Sequence, residues 1–98
     1  MSRFKLDVRQ AALDEADAIR AWYEELQPGL GGRFAEALDA CFHELRAHPF
    51  LQVRNEPFRY ASIKGFRSYR VVFAVDEDTI TVYQVRHTSR KPHPKFGP

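Results

Sequence analysis

Residues 58–92 read FRYASIKGFRSYRVVFAVDEDTITVYQVRHTSRKP, and this stretch restricts the possible folds more than any other. Two runs in it, Tyr69-Arg70-Val71-Val72-Phe73-Ala74-Val75 and Thr79-Ile80-Thr81-Val82-Tyr83-Gln84-Val85, are dense in β-branched and aromatic side chains. Such residues suit a pleated, buried surface, so each run predicts a strand. Asp76-Glu77-Asp78 between them is short and wholly charged. It cannot pack inside and reads as a hairpin turn. A weaker strand, Phe58 to Lys64, precedes Gly65. Three strands joined this closely pair as an antiparallel meander.

The first half has a different rhythm. Phe4, Leu6 and Val8 alternate with Lys5, Asp7 and Arg9. That period of two predicts a half-buried edge strand over about residues 3–10. Asp14 then reads as a helix N-cap, with Asp17 completing a capping-box-like pair. Ala16, Ile19, Tyr23 and Leu26 follow at spacings of 3, 4 and 3, predicting a helix over about residues 15–27. Trp22 lies at the edge of that stripe, placed to pack against a second helix. Pro28-Gly29 ends the first helix. Phe34, Leu38, Cys41 and Leu45, at spacings of 4, 3 and 4, then predict a helix over about residues 31–47, closed by His48 before Pro49. So short a link makes the pair an antiparallel helical hairpin. Phe50 to Glu56 reads as a connector whose Phe50, Leu51 and Val53 tuck against the core.

The expected fold is α+β, in the order β-α-α-β-β-β, with the helical hairpin packed on one face of a small antiparallel sheet. A chain of 98 residues makes one domain. Three prolines and a glycine close the chain, so residues 87–98 read as an irregular basic tail. Alternation places Tyr69, Val71, Phe73 and Val75 toward the helices, and Arg70, Val72 and Ala74 on the open face. Leu38 and Phe73 are expected in the core.

Charge separates the halves more than the net value of +2 suggests. Residues 1–53 hold six basic and nine acidic residues, a net of −3, whereas residues 54–98 hold nine and four, a net of +5. The cations Arg59, Lys64, Arg67, Arg70, Arg86, Arg90 and Lys91 fall on or beside the strands. A sheet with so many cations predicts an anionic partner, either nucleic acid or an acidic protein segment. Arg70 can contact a phosphate, a transition state or a partner's carboxylate, or it can be an ordinary surface arginine. His87 has the pKa range of a general acid or base, or it caps the last strand. One cysteine, Cys41, excludes an internal disulfide and suits a reducing, cytoplasmic setting. It lies on the apolar helix stripe and reads as a core residue. His43, His48 and His93 lack metal-ligand spacing with it, so no metal or cofactor is expected. No apolar run is long enough for a membrane span, and the N-terminus lacks a signal-peptide core.

The strand order and length, the Tyr69-Arg70-Val71-Val72-Phe73 strand leading into Thr79–Val85, and the Arg86-His87-Thr88-Ser89-Arg90 ending together resemble the RelE/ParE superfamily of toxins. The resemblance spans nearly the whole chain, including the Ala16-Asp17-Ile19-Trp22-Tyr23 helix face and Pro49. It implies the toxic half of a bacterial type II toxin–antitoxin pair, neutralised by a cognate antitoxin and associated with plasmid stabilization. RelE-like members cleave messenger RNA on the ribosome; ParE-like members poison DNA gyrase. RelE-like cleavage uses cations of the open sheet face and a tyrosine near the C-terminus. Carried over, Arg70 matches the strand arginine and Arg90 the arginine after the last strand. The tyrosine position falls near Phe96, which has no hydroxyl. Ala61 and Ile63 stand where a lysine pair is expected, with Lys64 nearby. Another RNA-cutting branch pairs a glutamate with a terminal histidine, for which Glu56 and His87 are the available residues. The ending looks more ParE-like. The resemblance therefore implies a non-catalytic gyrase inhibitor, with Arg59, Lys64, Arg70, Arg86, Arg90 and Lys91 as partner or target contacts. The alternatives are a ribosome-dependent endoribonuclease using Arg70, His87 and Arg90, and a plain nucleic-acid-binding domain.

Overall fold

The computed structural model describes residues 4–51, 53–55 and 57–88. In chain order they form β1 (Lys5–Val8), α1 (Gln10–Leu26), α2 (Leu30–Ala47), a 3-10 turn (Pro49–Leu51), β2 (Val53–Asn55), β3 (Phe58–Ser62), β4 (Tyr69–Asp76) and β5 (Thr79–His87). The strands lie side by side as β1-β5-β4-β3-β2. The helical hairpin covers one face, so the fold is the expected α+β arrangement.

Two details differ from the sequence reading. The connector carries a short fifth strand, β2, which pairs antiparallel with β3. The sheet is also mixed rather than wholly antiparallel, because β1 runs parallel to β5, with Leu6 opposite Ile80 and Val8 opposite Val82. The meander of β3, β4 and β5 is antiparallel as expected.

Helix α1 begins directly after β1, well before Asp14, and no side chain caps it. Tertiary contacts settle this start. The Arg9 backbone N–H donates to the Val82 carbonyl at 3.0 Å, and Ala12 in the first turn is fully buried. Asp14 instead accepts a hydrogen bond from Gln10 Nε2 within the helix, at 2.9 Å.

The cap that does matter sits at α2 and comes from the preceding helix. Glu24 accepts the backbone N–H groups of Gly29 at 2.9 Å and Gly31 at 3.0 Å. It thereby satisfies donors that a helix start leaves without partners. Gly29 takes φ = 90°, a conformation that favours glycine. Gly31 is required for a different reason: a Cβ there would stand 2.6 Å from the Arg20 carbonyl oxygen and 2.9 Å from the Glu24 carboxylate. Gly31→Ala is therefore expected to lower unfolding free energy by about 1–3 kcal/mol from forced separation of the helices. Gly32→Ala is the control, since nothing lies within 4 Å of its added methyl. Urea denaturation of the two variants checks this; equal midpoints would contradict it.

The core is filled from both layers. Phe34, Leu38 and Leu45 of α2 meet Val71, Phe73, Ile80, Val82 and Val85 of the sheet, with Ile19 from α1. At one end Tyr23, Phe34, Phe66 and Tyr69 form an aromatic cluster with centroids 5.0–6.1 Å apart, edge-to-face except for the tilted Tyr23–Phe34 pair. Trp22 does not pack into the helix interface. It is 51% exposed, with its ring edge against Tyr23. Among the described residues, no helix is long and apolar enough to cross a membrane.

Candidate functional site

The placement of every candidate residue on β5 depends on one irregularity. Plain alternation from Ile80 and Val82 would turn Gln84 and Arg86 into the core and put His87 on the outer face beside Arg70. The β4–β5 register instead shifts between Val72 and Phe73. Val72 pairs with Gln84 and Phe73 with Val82, leaving Tyr83 as the extra residue. A bulge of this kind resets the phase of a strand. Val85 therefore returns to the core, Arg86 faces away from the helices, and His87 faces them.

Arg70 and Arg86 stand directly opposite each other on β4 and β5. The surrounding face is less open than alternation suggested. Arg86 is only 5% exposed, and Val72 and Tyr60 are buried. Arg70 is half-buried and does not project as a free cation. Its guanidinium lies over the Tyr60 ring at 4.2 Å, a cation–π arrangement that holds it flat on the sheet. Among the described residues, Arg70 Nε and Gln84 Oε1 are buried without hydrogen-bond partners. Further along this face, the Tyr83 ring meets Phe58 edge-on at 5.5 Å, with the Arg9 guanidinium at 5.9 Å.

His87 lies on the other side of the sheet. Its ring stands edge-on to Tyr69 at 5.1 Å, and Tyr69 belongs to the aromatic cluster under the helices. Glu15, Ala18, Ile19 and Val85 also line the small pocket around it. Glu15 also accepts the Val85 backbone N–H at 2.9 Å, beyond the point where β1 stops covering the edge of β5.

The remaining predicted cations do not join Arg70. Arg59 pairs in register with Phe73 and stacks over Phe50 at 5.0 Å. Lys64 is exposed at the mouth of a groove of about 580 Å³ between α2 and the end of β3. Arg90 and Lys91, like Glu56 and Phe96, fall outside the described residues. Cys41 lines the same groove. Its thiol donates to the Ser62 carbonyl oxygen at 3.7 Å. Burial, with a smaller contribution from Glu44, pushes it up to about 11. It remains a neutral thiol near pH 7 and a poor nucleophile. Among the described residues no three His, Cys, Asp or Glu side chains converge as a metal site.

Sequence reasoning missed Tyr60 and Gln84 as neighbours of the arginines. The signal for Tyr60 was present: it lies two residues before Ser62, which pairs with Arg70. Gln84 could not be placed without the bulge.

A helical hairpin on one face of such a meander, with arginines on the other, is the arrangement expected of the RelE/ParE superfamily. The chain belongs to the ParE toxin family of type II toxin–antitoxin systems, whose family model matches residues 6–92. No curated protein sequence matches it. Among solved structures it is similar to the chromosomal ParDE toxin–antitoxin system of P. aeruginosa, at 15% identity and a TM-score of 0.74, covering 86% of this chain and 95% of the other. It is also similar to the RelBE2 toxin–antitoxin complex of Mycobacterium tuberculosis, at 18% identity and a TM-score of 0.58, covering 87% and 98%. At these identities the two likenesses establish the fold alone.

Proposed function

We propose that this protein is a toxin that acts by binding and inhibiting DNA gyrase, without cutting RNA, and that a cognate antitoxin neutralises it. The observation that carries the choice is the division of its candidate groups by the sheet. Phosphodiester cleavage through a 2′-hydroxyl needs a base, cations to stabilise the phosphorane, and an acid for the leaving oxygen. Arg70 and Arg86 are suitable cations, but arginine stays protonated and is a poor base. His87, the expected proton carrier, contacts Tyr69 on the opposite side. A strand of backbone separates it from the arginines. In this reading Arg70 serves a protein contact, and His87 supports the junction of β5 with α1.

Expression of the chain alone in a bacterium tests the proposal. DNA-damage signalling is expected before translation arrest, and His87→Ala is expected to leave toxicity intact. Co-expression with the product of the adjacent reading frame is expected to restore growth. Translation arrest appearing first, and disappearing with His87→Ala, would overturn the reading.

A further inference from the structure

We propose that Arg70 is the centre of a carboxylate-binding site whose natural occupant is an acidic side chain of the neutralising polypeptide. This rests on the antitoxin reading above and adds the chemistry of one contact. Arg70 already has its face occupied by Tyr60 at 4.2 Å. What remains for recognition is the edge of the guanidinium, where Nε and a terminal nitrogen form a fork matched to a carboxylate. Nε is buried, and no described acceptor meets it. A buried N–H without an acceptor is costly, so an occupant that accepts from it is favoured. Beside it lies a cavity of about 150 Å³ lined by Tyr60, Ala61, Ser62, Arg70 and Thr88. Two of its lining residues, Ser62 and Thr88, carry hydroxyls.

The surrounding charge points the same way. Arg86 stands opposite Arg70 in the β4–β5 register, so a carboxylate at Arg70 would lie beside a second cation. Among the described residues no carboxylate contacts Arg70, whereas Lys5 pairs with Asp78 and Arg9 with Asp7.

A polypeptide carboxylate fits better than a nucleic acid strand. Single strands are held by cations that track the backbone and by exposed aromatic rings on which bases stack. Here the cations are sunk: Arg86 is almost wholly buried, and Tyr60 is buried beneath Arg70.

The test follows the Arg70 Nε–H resonance by ¹⁵N NMR while glutarate is added to the full chain at constant ionic strength. A saturable downfield shift is expected, absent when sodium chloride replaces glutarate. In parallel, glutarate is expected to raise the thermal midpoint of the native chain but not of Arg70→Lys, which keeps the charge and loses the fork. No saturable shift would overturn the proposal. So would a short single-stranded RNA that shifts the resonance at lower concentration than glutarate. Neither gyrase nor antitoxin enters this experiment. Failure of the toxin reading would therefore show in the expression assay while the Arg70 response persisted.

Discussion

Val82→Asp is expected to abolish cooperative folding. Val82 is fully buried in the core cluster, next to Tyr83, the extra residue that lets Val82 and Val85 both reach the core despite their odd spacing. An aspartate there would be a charge inside an apolar cluster, and leaving a buried charge uncompensated costs about 3–5 kcal/mol. Losing the valine side chain from the core adds about 1.5–3 kcal/mol. Domains of this size are stable by about 5–15 kcal/mol, so little native population should remain. Circular dichroism during thermal unfolding checks this. Deletion of Tyr83 is the companion variant. It removes the extra residue and its Phe58 and Arg9 contacts. Gln84 then follows Val82 directly, and plain alternation keeps Val82 and Val85 on the core side and Gln84 and Arg86 on the other. This variant should still unfold cooperatively. A native-like transition in Val82→Asp, or loss of the transition in the Tyr83 deletion, would show that the phase of β5 has been wrongly assigned.

The second large effect is expected from Phe73→Ala. Phe73 is fully buried at the centre of the sheet, next to the bulge and under the helical hairpin. Truncating a buried phenylalanine costs about 3–5 kcal/mol, combining lost burial with the cavity left behind. Denaturant titration should show a lower midpoint with little change in slope. A loss below about 0.5 kcal/mol, the usual range for exposed positions, would mean that the helix-facing side of β4 has been wrongly assigned.

The layers of this fold were legible because each element carries its own period. Ile19 and Tyr23 on α1, Phe34, Leu38 and Leu45 on α2, and Val71 and Phe73 on β4 all lie on the faces their spacing predicts. The start of α1 was not legible at Asp14, because burial of Ala12 and the Arg9–Val82 hydrogen bond outweigh a local cap. Strand β2 escaped notice because three residues are too few for a period to show. Its pairing with β3 creates it.

The site was read less well, for a single physical reason. Arg70, Arg86 and His87 stand out by residue type, but grouping them assumes that alternation continues unbroken. A bulge has no signature in a run such as Ile80-Thr81-Val82-Tyr83-Gln84-Val85. Only the competition between Val85 and Gln84 for the core hints at it. The capping of α2 by Glu24 was hidden in the same way, since the donors lie five and seven residues away across the interhelix turn.

The most direct test of the proposed function sets the purified protein in two assays side by side, gyrase supercoiling and cleavage of ribosome-bound messenger RNA. The separation of His87 from Arg70 and Arg86 predicts inhibited supercoiling, intact messenger RNA, and the same outcome for His87→Ala. Site-specific messenger cleavage that vanishes with His87→Ala would contradict it and place the chemistry with the ribonucleases.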